Sequence, residues 1–510
     1  MGMGKEGGVR PSEWDYRWEA ERTNHLVWIG AANAGLQCNL LLDDDAWLLH
    51  GMTEDALPRS WHNEGRGGVH IVENGAGDVL FQAFSGERTL RVGESTVFRF
   101  ALLVTPFHTL ETAAHWRARY YHTGGAESIA DAVDAGATVI NLHQGNDLNP
   151  YINYPFRNAA ALSDYIRKAE AHAIRVKLYY TVRELSAFAE EIWILRSLGH
   201  EILATGGQFS LASAEEEDRP YRSTGAPWLC EHLIDDYVPA WQAPLSDGSM
   251  DCAVAVTGLS RWHNYYIEGL SWLARETGMA GLYLDGIGYD REIMKRVRKV
   301  LDRARPDALI DFHSGNNFDP HYGLNSPANQ YLEHFPYLDS LWFGEGYDYV
   351  NKPLDYWLVE ISGVPYGLLG EMLGDNTNPW RGMVFGMTGR FGWGADPRAL
   401  WEFWDGFGME GSRMIGWWSS ECPVHTGNPN VPATVYLQPG KALIAIASWE
   451  PECTAIRLSI DWMSLGLDGA TARAVAPDIP GLQEAREVDI SAPFKVDPAR
   501  GALLVVTGGR

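Results

Sequence analysis

The sequence predicts an α/β fold: a (β/α)8 TIM barrel flanked by an N-terminal β-sandwich and a small C-terminal β-sandwich. Three observations predict it. Apolar strand-like runs alternate with amphipathic stretches of helical period through the middle of the chain, as in a parallel α/β architecture. Eight such runs can be counted over roughly 300 residues, the count of a closed barrel. On either side the pattern changes to short alternating strands separated by Gly, Asn and Asp turns.

The elements follow in order. "HLVWIG", "GDVLFQAF" and "STVFRFALLVT" read as strands of a sandwich over residues 1–113. The barrel is expected over 114–424, with strands "ATVINLH", "IRVKLYY", "DCAVAV", "GLYLD", "ALIDFH", "SLWFGE", "RGMVFGM" and "SRMIGWW". Between them lie helical stretches such as "ALSDYIRKAEAHA", "WHNYYIEGLSWLARETG", "REIMKRVRKVLDRA" and "PRALWEFWDGFG". A doubly wound sheet would carry a glycine-rich phosphate turn after its first strand, and "HQGNDLNPY" is not one. "ALIAIAS", "TAIRLSID", "EVDIS" and "GALLVVT" then read as a sandwich over 425–510.

Composition narrows the function. A formal charge of −25 disfavours nucleic acid and anionic membrane as partners, because both require basic surface. Five scattered cysteines without a C-x-x-C pair argue against a disulfide framework and a cysteine zinc site. The 21 Trp and 22 Tyr exceed what a core requires, and aromatic rings stack on the apolar faces of sugars. "MGMGKEGGVRPSEWDYRW" has no apolar leader core, so the expectation is a cytoplasmic protein as written, or a periplasmic or secreted one if the N-terminus is truncated.

Barrel chemistry sits at the C-terminal strand ends. There the sequence offers His143 and Asp147, then Tyr180 and Arg183, then Asp285, then Asp311 and His313, then Glu345. Alternation puts Tyr283 and Asp285 on one face of "YLD", and Leu341, Phe343 and Glu345 on one face of "LWFGE". Strands four and six have the same parity, so Asp285 and Glu345 are expected to face one another across the mouth. Two such carboxylates suit glycoside hydrolysis: one donates a proton to the departing oxygen, the other acts ionised as nucleophile or base. Asp147, Asp311 and His313 would bind sugar hydroxyls, with Trp393, Trp417 and Trp342 as stacking aromatics, although alternation turns Trp342 toward the helices. "LHQGND" has one His rather than a His-x-His, so neither metal nor other cofactor is expected.

"GLYLDGIGYDR", "DFHSGNNF", "FPYLDSLWFGEGYDY" and "NPWRGMVFGMT" together resemble a bacterial glycoside hydrolase-like family with an N-terminal sandwich and a barrel distantly similar to the alpha-galactosidase clan. "VWIGAANAGLQCNLLLDDDAW" is similar to that family's sandwich. The resemblance implies a retaining enzyme on alpha-linked glycosides or oligosaccharides, with Asp285 as nucleophile and Glu345 as acid/base. The clan's K-x-D before the nucleophile is Y-L-D here. Two alternatives stand beside this reading: a beta-N-acetylhexosaminidase-like hydrolase assisted by the substrate's acetamido group, and a non-catalytic carbohydrate-binding protein on a degenerate barrel. No adjacent Asp-Glu pair of the kind the first would use follows a barrel strand.

Overall fold

The structure is a computed structural model that describes residues 13–17, 26–41, 58–74, 76, 78–126, 128–203, 239–256, 260–287, 289–313, 327–342, 347–372, 374 and 376–508. At its centre six parallel strands run side by side: β1 (Tyr120–Tyr121), β2 (Val139–Leu142), β3 (Arg175–Tyr179), β4 (Gly281–Asp285), β5 (Leu309–His313) and β6 (Ser340–Leu341). Parallel bridges from Leu341 to Gly370, from Met372 to Gly389 and from Phe391 back to Tyr121 close the ring, so residues 370–372 and 389–391 are its seventh and eighth staves. A helical segment follows each stave, among them Ala159–Glu170, Ser260–Thr277, Arg291–Ala304 and Arg398–Phe407.

Alternation explains why this ring closes around a polar interior. Ile140, Leu142, Val176, Leu178, Leu282, Leu284, Ile310, Phe312 and Leu341 all join the core that the strands share with the surrounding helices. Their neighbours one residue along therefore point inward. Gly281 permits the close approach of β4 and β5: its φ is +145°, and a Cβ there would meet the Leu309 carbonyl oxygen at 1.8 Å. Asp290, the second acid of "GLYLDGIGYD", caps the helix Arg291–Ala304 by accepting from the Ile293 amide at 2.9 Å.

Three of the eight expected barrel strands lie elsewhere. "DCAVAV" forms Met250–Ala255, the centre of a three-stranded antiparallel sheet with Glu184–Ser186 and Pro239–Pro244, inserted after β3. "RGMVFGM" begins within the helix Pro379–Val384, whose Asn378 side chain accepts from the Arg381 amide at 3.1 Å in an Asn-Pro start. "SRMIGWW" supplies Arg413–Ile415, which pairs antiparallel with Ala433–Gln438 of the C-terminal sheet. A short apolar run does not by itself reveal which sheet it joins. "GLYLD" is nonetheless the fourth stave, because a missed first strand offsets the false third one.

On one side of the barrel, two three-stranded antiparallel sheets pack Val27, Cys38 and Leu40 against Val69 and Ile71, forming the N-terminal sandwich. Gln37 Nε2 reaches the Asn329 carbonyl at 2.7 Å, and Asn329 Nδ2 donates to the Leu26 carbonyl at 2.7 Å, tying the sandwich to the segment after β5. On the other side, a six-stranded antiparallel sheet and two strand pairs enclose a second core that includes Val435, Ile444 and Leu504. Buried Arg381 joins it to the barrel, donating to the carbonyls of Ser448 at 3.1 Å and Tyr349 at 2.9 Å.

Candidate functional site at the barrel mouth

The inward side chains form two tiers. In the lower tier Asp311 on β5 is fully buried between Lys177 and Arg390, with Asn141 Nδ2 donating to it at 3.2 Å. Arg390 Nε also donates to Glu371 at 2.7 Å. Lys177 and Arg390 offset Asp311 and Glu371 in formal charge, and pairing of this kind is the condition for burying such a group.

The upper tier opens at the C-terminal ends of the strands. Asp285 ends β4 beside its register partner His313, and its side chain is 28% exposed. His313 Nδ1 lies 3.2 Å from its Oδ1, the Tyr179 hydroxyl donates to Oδ2 at 3.2 Å, and the Arg183 guanidinium stands 3.7 Å away. Burial pushes this carboxyl up. The bond from His313 and the charges of Arg183, His313 and His143 outweigh that and hold it well below the usual carboxylate range. Asp285 is therefore an anion at neutral and mildly acidic pH.

Around it stands an aromatic wall. The Tyr283 hydroxyl lies 3.3 Å from His313 Nδ1, and the Trp342 ring packs 4.3 Å from the His313 ring and 5.2 Å from that of Tyr283. His143 sits 4.9 Å from the Tyr179 ring, and burial lowers its pKa. Trp393 closes the rim, 54% exposed and edge-on to His122 and His143. Its φ of +51° is strained for a residue with a side chain, and it lies between Gly392 and Gly394, both also at positive φ.

His143, Arg183, Tyr283, Asp285, His313, Trp342 and Trp393 thus come together. Other expected residues do not. Tyr180 points outward, stacked on Tyr266 and against Phe156, because the residue before it, Tyr179, takes the inward position. Asp311 lies in the buried tier, out of reach of a sugar hydroxyl. Asp147 is exposed on the loop after β2, and no ion pair or hydrogen bond among the described residues joins it to Asp285. Trp417 packs on Phe385 and Trp418, and its amide donates to Thr434 Oγ1 at the seam with the C-terminal sheet. Trp342 turns inward and Leu341 outward, reversing the expected parity of strand six, and the strand ends at Leu341. Glu345 lies outside the described residues.

Two residues went unread in the sequence. Tyr179 shares its face with Lys177 in "VKLYY", a signal available from alternation alone. His122 directly follows the two-residue strand β1, which is too short to show any period.

Family models described as "Glycoside hydrolase 123, TIM-barrel domain", "C-terminal domain" and "third domain" match residues 111–392, 396–507 and 1–106. The chain belongs to glycoside hydrolase family 123. This family-123 chain is accordingly a glycoside hydrolase, and a carbohydrate is its substrate class. No curated protein matches it in sequence. Among solved structures it is similar to an alpha-amylase from Geobacillus thermoleovorans complexed with acarbose, at 11% identity over 78% of this chain and 99% of that one, with a TM-score of 0.46. The GH36 alpha-galactosidase AgaA from Geobacillus stearothermophilus is 11% identical over 98% of this chain and 72% of its own, with a TM-score of 0.44. These likenesses are too distant to bear on the site. No helix among the described residues is long and apolar enough to cross a membrane.

Proposed function

We propose that the glycosidic bond is cleaved over Asp285, with Asp285 as the ionised partner and Glu345 as the proton donor. One observation supports this most. Of the three acids on barrel staves among the described residues (Asp285, Asp311 and Glu371), Asp285 alone reaches solvent, and its environment keeps it charged. An anion beneath the anomeric carbon stabilises the oxocarbenium-like transition state. In the retaining, alpha-linked reading, Asp285 attacks that carbon while Glu345 protonates the leaving oxygen. Water, deprotonated by Glu345, then releases the sugar. Glu345 enters from the sequence alone.

A specific feature favours a second reading. His313, Tyr179 and Arg183 draw charge from the Asp285 oxygens, and a carboxylate of such low basicity is a weak nucleophile. The same anion suits orienting a substrate acetamido group that attacks in its place. Nitrophenyl glycosides with either a hydroxyl or an acetamido group beside the anomeric carbon separate the two readings, and NMR of the first-formed anomer reports retention. In either reading Asp285→Asn lowers kcat by about 10²–10⁴-fold, the range for one acid–base group, with sugar binding kept. Wild-type turnover by Asp285→Asn would overturn both.

A further inference from the structure

His122 is buried at the mouth, where its backbone amide donates to the Phe391 carbonyl at 2.8 Å and so locks it between the first and eighth staves. Its ring is enclosed by Tyr283 at 4.8 Å, Trp342 at 5.0 Å, His143 at 6.1 Å and Trp393 at 6.2 Å. Among the described residues neither ring nitrogen has a hydrogen-bond partner, and the indole nitrogen of Trp342 beside it has none either. Burial, then the charge of Arg390, drives the imidazole pKa far down. The ring is therefore neutral and presents one donor and one acceptor, both unused.

A buried polar group without a partner is selected against unless something binds there. Here the surroundings are aromatic edges and faces, chemistry that accepts the body of a sugar and leaves its hydroxyls to find polar partners. Of the four enclosing rings, Tyr283 and Trp342 are buried and His143 is half-buried, whereas Trp393 is exposed on a turn of three consecutive positive-φ residues. Trp393 is the ring that can leave. β1 and β4 are separated by β2 and β3, so His122 and Asp285 stand across the mouth from one another, and the Tyr283 ring of β4 reaches His122.

We propose that His122 determines specificity by hydrogen-bonding a sugar hydroxyl on the edge of the ring remote from the cleaved bond, once the Trp393 indole has swung aside from His122 to stack on the face of the bound sugar. This rests on the reading that Asp285 marks the cleaved bond. The hydroxyl accepts from one ring nitrogen and donates to the other nitrogen or to water, while Trp342 Nε1 offers a second donor to the same edge.

The test uses the nitrophenyl glycoside that the wild type turns over fastest, together with its monodeoxy analogues. In the wild type, one analogue lacking a remote hydroxyl loses about a hundredfold in kcat/KM, because its absence leaves the site's polar groups unpaired. In His122→Phe the parent substrate falls to the level of that analogue, and the discrimination collapses to about twofold. His122→Gln restores part of it. The melting temperature of sugar-free His122→Phe stays level or rises, since a structural histidine would instead be missed. Discrimination kept in both variants overturns the proposal. Asp285→Asn separates the two readings: inactive on parent and analogues alike, it leaves the cleavage reading standing whatever His122 does. If Asp285→Asn were active while His122→Phe lost discrimination, the hydroxyl contact would hold and its remote placement would fall.

Discussion

Asp285 and Asp311 occupy neighbouring strands of one barrel, and both face inward. Asp311 pairs in register with Tyr283, two residues below the pair formed by Asp285 and His313, a depth of roughly 6–7 Å. That step changes what surrounds the carboxylate. Asp311 meets Lys177 and Arg390 and is fully buried. Asp285 meets an imidazole, a phenol and a guanidinium 3.7 Å away, and it keeps an open side. The lower acid is a counter-ion that makes a polar barrel interior affordable, and the upper one is available to substrate. Depth along the strand, rather than residue type, sets the role.

Removing each charge in turn should separate these roles. Asp285→Asn loses turnover by the large factor given above, with only a small loss of stability because its carboxylate keeps an open side. Asp311→Asn does the reverse. It leaves Lys177 and Arg390 facing an uncharged amide in the interior and costs about 3–5 kcal/mol of stability, read by urea unfolding. Adding Lys177→Met to Asp311→Asn should recover part of that loss, because the pair is removed together. If Asp311→Asn folds as stably as wild type yet is inactive, the lower tier takes part in catalysis and the contrast fails.

Acid probes the same contrast by titration. Buried His334, whose Nε2 lies 2.9 Å from the Tyr289 carbonyl oxygen, has its pKa brought down to about 4 by burial. The unfolded chain protonates the same ring near 6.5, so it binds the proton more readily than the folded one. Stability from this residue is full above that value and is lost as pH falls from about 6.5 to about 4. Asp285 shifts in the same sense, its folded pKa also lying below the unfolded one, but in a lower pH window. Its contribution is present above the ordinary carboxylate range and is lost only below it. On going from pH 7 to 5 the scaffold should therefore weaken, by up to about 2 kcal/mol from His334, while the mouth keeps its anion. Melting temperature against pH checks this: His334→Gln should flatten the slope over that interval, and a parallel slope would assign the acid loss elsewhere.

The contrast also explains what could be read in the sequence. Alternation along "YLD" put Tyr283 and Asp285 on one face, and Asp311 and His313 share a face of "DFH" by the same rule. Parity carries no depth, so Asp311 read as a hydroxyl binder when it is sealed beneath the site. The first stave has two residues, and the last two are held by single bridges at Gly370, Met372, Gly389 and Phe391. No period can show in segments that short. Their inward residues, His122, Glu371 and Arg390, were accordingly invisible, and longer apolar runs such as "DCAVAV" stood in for them.

The smallest effect concerns the rim and tests whether strain there serves binding. Trp393 pays for its exposed ring with a left-handed backbone, at a cost of order 1 kcal/mol for a residue with a side chain. Trp393→Gly relieves that cost at the backbone and removes the stacking surface in one change. Its added chain entropy in the unfolded state offsets part of the gain, so the melting temperature should rise by a degree or two at most. KM should rise about tenfold with kcat nearly unchanged, the pattern for a contact made equally in ground and transition states. Trp393→Phe, which keeps both the strain and a ring, should lose less affinity and gain no stability. A fall in melting temperature for the glycine variant would make Trp393 a packing residue and leave its backbone conformation unexplained by binding. A fall in kcat without change in KM would instead place the indole against the reacting sugar in the transition state, extending the working tier from Asp285 across to the opposite rim.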